Sequence, residues 1–212
     1  MNSTPDLLSF ENKYWMKGIQ FIAGVDEAGR GPLAGPVVAS AVIFARGVLI
    51  EGVTDSKKLS AKKREECFHK IHESALSVGI GIVSHDVIDR INILQASFLA
   101  MNKALATLTI QPEYLLVDGN FFRHERFPVE NIVKGDSLSH SIAAASIIAK
   151  VTRDALMKDL HRQYPQYGFD AHKGYGTKSH IEAIRQFGYS PIHRRSFHVD
   201  VLEKAEKSAG EE

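Results

Sequence analysis

The chain has 212 residues, 44% of them hydrophobic, and 26 Lys and Arg against 25 Asp and Glu leave a formal charge of +1. That length suits one domain with a substantial core, expected over about 20–198 with a fraying charged tail over about 203–212. The only cysteine, Cys67, excludes an internal disulfide and favours a reducing compartment. No run approaches the ~20 apolar residues of a membrane span, and the N-terminus, with Asp6 and Glu11, has no apolar signal-peptide core. A soluble, cytoplasmic protein with no membrane association is expected.

A short helix is predicted over 5–16, with Leu7, Leu8, Tyr14 and Trp15 on an apolar edge. Strands follow over about 20–27 and 36–44. Asp55-Ser56-Lys57-Lys58-Leu59-Ser60 reads as a polar loop. Ser60 is placed to cap a helix over about 61–76, burying Phe68, Ile71, Ala75 and Leu76. A strand at 79–84 precedes a helix over about 92–108 that buries Leu94, Phe98, Met101 and Leu105. Tyr114 to Asp118 is wholly apolar until its last residue, as befits a strand buried on both faces. A fifth strand is predicted over 129–134, then helices over about 138–161 and 178–187. Antiparallel strands followed by helix–strand crossovers predict an α/β fold: a mixed five-stranded sheet flanked by helices, with a helical C-terminal extension.

Gly24-Val25-Asp26-Glu27-Ala28-Gly29-Arg30-Gly31-Pro32 is the most informative segment. Adjacent carboxylates at a strand end repel each other and are costly to desolvate, and a divalent cation removes that cost. Glycines beside them let a backbone or a phosphate approach closely. On a regular strand Asp26 and Glu27 would point to opposite faces. If both bind metal, the strand is expected to end or distort at Glu27, with Gly29 absorbing the turn. Gly29 to Ala34 also matches the dinucleotide fingerprint G-x-G-x-x-A, with Asp55 at the ribose distance. That motif must open a helix, whereas the β-branched run from Val37 to Phe44 reads as a strand, so the nucleotide fold is disfavoured.

Two further acids stand in telling places. Asp118 ends a buried strand before Gly119-Asn120, and Asp136 follows Gly135 ahead of the small-residue run Ala143-Ala144-Ala145-Ser146. If the strands ending at Asp26 and Asp118 are parallel neighbours, roughly 4.8 Å apart, their side chains can share a cation. Taken singly, Asp118 also reads as a turn former, Asp136 as an N-cap, and Glu27 as a solvent residue. All-oxygen ligands suit Mg²⁺ or Mn²⁺, and sites holding two such ions perform in-line phosphodiester displacement. Residues 150–198 carry nine Lys and Arg against four acids. Lys57-Lys58 and Lys62-Lys63-Arg64 form a second basic cluster, and the two together suggest a polyanion partner.

With Asp55-Ser56-Lys57-Lys58-Leu59, Leu116-Val117-Asp118-Gly119-Asn120, Lys134-Gly135-Asp136, the block from Ala143 to Asp154, and Lys173-Gly174-Tyr175-Gly176-Thr177, the chain resembles the bacterial ribonuclease HII family, type 2 ribonuclease H. The HIII type tends to carry lysine between the glycines and an extra N-terminal domain, so Arg30 favours HII. The resemblance implies an RNase H-like fold and a monomer. It implies hydrolysis of RNA in RNA–DNA hybrids and incision 5′ to single ribonucleotides in duplex DNA, leaving 3′-hydroxyl and 5′-phosphate ends. Asp26, Glu27, Asp118 and Asp136 would be the catalytic, metal-binding acids, Gly29, Arg30 and Gly31 would read the 2′-hydroxyl, and Tyr175 would lie under the sugar on the DNA side. Lys57, Lys58, Lys173 and Lys178 are expected on phosphates. His172, His193 and His198 read equally as phosphate contacts or as surface residues, and Cys67 and Trp15 as structural. Gly31 is expected to resist a Cβ, both because the ribose must approach it and through any positive φ. The competing functions are another nuclease of this fold, a resolvase or exonuclease, and a hybrid-binding protein without catalysis. No replication or repair partner is legible in the sequence.

Overall fold

A computed structural model describes residues 6–197; the tail over 203–212 and His198 lie outside the described residues. Helix α1 (Ser9–Trp15) leads into β1 (Ile22–Ala28), β2 (Val37–Ile43), α2 (Ala61–Ser74) and β3 (Ser77–Val83). Then come α3 (His85–Ala106), β4 (Tyr114–Asp118), β5 (Val129–Ile132), α4 (His140–Gln163), the short α5 (Phe169–His172) and α6 (Lys178–Phe187). The sheet order is β3-β2-β1-β4-β5. β1 pairs antiparallel with β2 and β2 with β3, while β4 runs parallel to β1 and β5 parallel to β4. This is the expected mixed five-stranded sheet. Among the described residues no helix is long and apolar enough to cross a membrane.

All seven residues of β2 are buried, because α3 covers one face of the sheet and α4 the other. Ala23, Val25, Ala39, Ala41 and Ile43 face α3 through Ala96, Ala100, Met101 and Ala104. On the opposite face Val42 and Phe44 pack with Ala143, Ala144, Ile147 and Ile148 of α4. Small residues set the spacing. A Cβ on Gly24 would lie 2.1 Å from the Ser141 carbonyl carbon, and one on Gly81 would lie 2.0 Å from the Ala100 carbonyl oxygen. The backbone of α4 therefore rests directly on β1, where the acid pair begins.

Several boundaries differ from expectation. α3 starts at His85, and its run is broken at Asn92 (φ 65°, ψ 165°), whose side chain then caps the second stretch through the Gln95 amide at 3.1 Å. The periodicity marks only that second stretch. α2 ends at Ser74, so Leu76 is exposed and gives its amide to the Ile43 carbonyl at 2.9 Å. β5 stops at Ile132 as the chain turns through Lys134 in a left-handed conformation (φ 59°). Residues 31–36 open no helix before β2, which removes the dinucleotide-binding reading. Cys67 and Trp15 are buried, as expected of structural residues.

Candidate active site

The register places Asp26 and Asp118 one step beyond the last β1–β4 rung, Val25↔Val117. Gly24 packs on Ser141 and Leu116 on Ile142, both of α4. Two residues further on, Asp26 and Asp118 point to that same face. Asp26 is 5% exposed. Burial, then Glu27, then Asp118 hold its carboxyl well above the usual carboxylate range.

β1 does not end at Glu27. Its ladder with β2 continues in register through Ala28↔Val38, which corrects the expected distortion. What ends at Val25 is the pairing with β4. Beyond it that edge is open, and the Glu27 amide donates to Asp26 Oδ1 at 2.7 Å instead of to a strand. Glu27 thus lines the same cleft as Asp26 and Asp118 without a break in the strand. Burial raises its carboxyl, opposed by Arg30, whose Nη1 lies 3.2 Å from Oε1. The turn follows at Gly29 (φ 99°).

Asp136 sits in a single 3-10 turn, Gly135–Ser137, just ahead of α4. It is not the N-cap: Ser139 caps α4, accepting from the Ile142 amide at 3.3 Å. Nor is Asp118 a local turn former, since its Oδ1 accepts from the distant Gly135 amide at 2.7 Å. Burial, then Asp55 and Asp118, raise the Asp136 carboxyl, and Lys57 opposes them from 3.6 Å. Lys57 itself is raised by Asp136 and Asp26 against the burial that would lower it.

The cleft encloses about 220 Å³ and is lined by Gly29, Arg30, Gly31 and Tyr175 as well as by Asp26, Glu27 and Asp118. Tyr175 is 44% exposed. The strained glycine is Gly29, where a Cβ would lie 2.1 Å from Arg153 Nε and 2.8 Å from the Pro36 carbonyl oxygen. Gly31 has no positive φ, and a Cβ there would meet only the Tyr175 ring, at 3.6 Å. The expected backbone penalty at Gly31 therefore falls on Gly29.

Two buried arginines hold this wall from behind. Arg153 donates to the carbonyls of Pro36, Lys173 and Ala34 at 2.9, 3.1 and 3.3 Å. Arg194 donates to those of Gly29, Arg30, Gly35 and Pro36 at 2.6 to 3.1 Å. Tyr175 is held through histidines. The Ser190 amide donates to His193 Nδ1 at 2.8 Å, so neutral His193 carries its proton on Nε2 and donates to His180 Nε2 at 3.0 Å. His180 then donates from Nδ1 to the Tyr175 carbonyl at 2.9 Å. Burial holds both rings neutral, lowering His180 to about 4 and His193 to about 3. His193 is thus neither a surface nor a phosphate-binding residue. Half-buried His172 accepts from the Gly174 amide and pairs with the Tyr167 carbonyl, a structural part of the same cluster.

Lys58 turns to Asp55 at 3.7 Å and does not line the cleft. Lys173 lines an adjoining basic groove of about 360 Å³ with Arg64, Lys150 and Lys158. Ser56, Ser146, Lys150 and Arg153 line the cleft unforeseen. The last three recur at helical spacing along α4 on the Ile142 side, a periodicity that marks one face.

Among the described residues, no three acidic, histidine or cysteine side chains already converge as a ready-made ligand set. Asp26 is drawn to the Glu27 amide, Glu27 to Arg30, Asp118 to the Gly135 amide and Asp136 to Lys57. The donor set is nonetheless what a hard divalent cation requires. It offers only carboxylate oxygens, and burial and mutual repulsion raise three of the four groups.

A family model described as Ribonuclease HII matches residues 23–199. The chain is similar to ribonuclease HII of Clostridioides difficile (strain 630), 57% identical over 193 residues, covering 91% of this chain and 76% of that one. It is likewise similar to ribonuclease HII of Acholeplasma laidlawii (strain PG-8A), 56% identical over 194 residues, with 92% and 95% covered. Among solved structures, the ribonuclease H2 from Pyrococcus horikoshii OT3 superposes with a TM-score of 0.71 at 29% identity, over 89% of this chain and 98% of that one.

Proposed function

Because this chain belongs to the ribonuclease HII family, we propose that Asp26, Glu27, Asp118 and Asp136 are its catalytic acids. It is a ribonuclease H, an endonuclease on the RNA strand of RNA–DNA hybrids, and it depends on a divalent metal ion. The observation that carries the residue assignment is that Asp26 and Glu27 of β1 and Asp118 of β4 line one cleft, with Asp136 of the turn before α4 near enough to raise the Asp26 carboxyl. A hybrid-binding protein without catalysis would gain nothing from carboxylates gathered beside phosphates.

In this reading Asp26 and Asp118 are the central ligands, held from parallel strand ends, with Glu27 and Asp136 flanking them. They would hold two Mg²⁺ or Mn²⁺ ions. When bound, the ions supply neutralisation of the phosphate charge and activation of the attacking water. Gly29, Arg30 and Gly31 recognise the 2′-hydroxyl through backbone groups, since that hydroxyl distinguishes RNA from DNA. Tyr175 packs on the sugar on the DNA side. Lys57 and the groove with Lys150, Lys158 and Lys173 position phosphates without reading sequence. The substrate then includes duplex DNA with a single ribonucleotide, cut on its 5′ side to leave 3′-hydroxyl and 5′-phosphate ends. The match over residues 23–199 supports one domain, and we read the protein as a cytoplasmic monomer.

The test is incubation of a duplex carrying one ribonucleotide with Mg²⁺, Mn²⁺ or EDTA, followed by analysis of the ends. Incision 5′ to the ribonucleotide with either metal, none in EDTA, and an inactive but folded Asp118→Asn variant are expected. Wild-type turnover by Asp118→Asn would remove the assignment.

A further inference from the structure

We propose that Arg194 is the positioning residue for 2′-hydroxyl recognition. It draws the Gly29 and Arg30 carbonyls to the back of the loop, so that the amides of Arg30 and Gly31 face the cleft. The inference rests on the reading of Gly29–Gly31 as the ribose contact and names what sets that contact.

In a planar trans peptide the C=O and N–H point to opposite sides. The Gly29 carbonyl shares its plane with the Arg30 amide, and the Arg30 carbonyl shares its plane with the Gly31 amide. Arg194 Nη2 donates to the Gly29 oxygen at 2.6 Å and Nη1 to the Arg30 oxygen at 3.0 Å. With both oxygens turned inward to a side chain that is 1% exposed, both N–H groups turn outward. Arg30 and Gly31 line the cleft, and neither amide donates to an acceptor among the described residues. The result is a pair of adjacent donors in the cleft that the acids line. A cationic donor also polarises each peptide it binds, which strengthens the N–H on the far side.

The identity of the side chain matters. A buried charge is costly unless fully hydrogen-bonded, and the guanidinium meets that need with a rigid fork of donors that reaches four carbonyls at once. Lysine has one nitrogen and cannot hold the Gly29 and Arg30 oxygens together with those of Gly35 and Pro36. The Arg194 backbone is anchored separately, its amide donating to the Leu33 carbonyl at 2.8 Å, next to the Ala34↔His193 bridge. A change of side chain therefore leaves the segment docked. Gly81 is the control site: it lies on β3 against α3, does not line the cleft, and a Cβ there would lie 2.0 Å from the Ala100 carbonyl oxygen, so it destabilises the fold without touching the loop.

The experiment compares the wild type with Arg194→Lys, Arg194→Gln and Gly81→Ala. Affinities are measured by fluorescence anisotropy in Ca²⁺, with strands checked to be intact, for a duplex carrying one ribonucleotide and for the same all-deoxy duplex. Melting temperatures are recorded for every variant. The ratio of the two affinities is the readout, because lost stability alone does not change it. Both Arg194 variants are expected to lose about tenfold of the wild-type ratio, the size of one or two hydrogen bonds, with all-deoxy binding little changed. Gly81→Ala is expected to melt lower yet keep the ratio within about twofold. Should Arg194→Lys not fold, Arg194→Gln carries the comparison. A wild-type ratio in a folded Arg194 variant would overturn the proposal, as would an equal loss in Gly81→Ala. A wild type with no preference at all would overturn the ribose reading itself, and the proposal with it.

Discussion

Gly29 and Gly31 stand two residues apart in one loop, and alanine should act on them in opposite ways. At Gly29 the φ of 99° costs a Cβ-bearing residue about 1–2 kcal/mol. The new Cβ would also lie 2.1 Å from Arg153 Nε and 2.8 Å from the Pro36 carbonyl oxygen. Displacing a buried guanidinium adds overpacking of about 1–3 kcal/mol. A loss of about 3 kcal/mol lowers the melting temperature of a chain this size by roughly 6–12 °C. At Gly31 φ is ordinary and the Cβ meets only the Tyr175 ring at 3.6 Å, so stability should stay within about 0.5 kcal/mol. That Cβ fills the gap between loop and ring into which a ribose would fit. Cleavage at a single ribonucleotide should fall about thirtyfold or more, equivalent to ~2 kcal/mol. The assay pairs thermal melts with kcat/KM on a single-ribonucleotide duplex and on a long hybrid. A Gly29→Ala protein that melts like the wild type would refute the steric argument. A Gly31→Ala protein with full activity would show that the ribose does not pass between Gly31 and Tyr175.

Asp26→Asn should abolish cleavage yet stabilise the metal-free protein. The Asp26 carboxyl is raised in the fold, chiefly by burial, so wild-type stability is lost as pH rises from the unfolded value of about 3.9 through the raised one. The variant's advantage should therefore grow as the pH rises above about 4 in EDTA, and denaturant melts showing a destabilised variant at pH 8 would contradict this. His180 and His193, lowered to about 4 and about 3, act in the other sense. Their stability is present above the unfolded histidine value of about 6.5 and is lost as pH falls below it, on the order of 2–3 kcal/mol for each ring by pH 4.5. His180→Gln should start less stable at pH 7.5 and decline less steeply on acidification; an unchanged slope would rule out the neutral relay. Gly81→Ala, whose Cβ would lie 2.0 Å from the Ala100 carbonyl oxygen, should cost about 3 kcal/mol by pushing α3 off the sheet, measurable as a lower urea midpoint.

Much of the architecture is local and therefore legible in the chain. Apolar runs ending in acids mark β1 and β4, Ser60 marks the start of α2, and the alanines of α4 foretell its close packing. Residue types alone also bring Asp26, Glu27, Asp118 and Asp136 under suspicion, because carboxylates at buried strand ends are too costly to be idle. Three things needed the fold. The pairing between β1 and β4 stops at Val25 while that with β2 runs on to Ala28, and this asymmetry lets Glu27 reach the cleft from an unbroken strand. The positive φ falls on Gly29 and not on Gly31, a difference that two glycines in one motif do not reveal. Lastly, Arg194 meets Gly29 across 165 residues and His180 meets His193 through their rings. As residues in a basic stretch they read as surface charge. Their partners are backbone carbonyls and ring nitrogens, which every sequence contains, so only the folded chain shows which ones they hold.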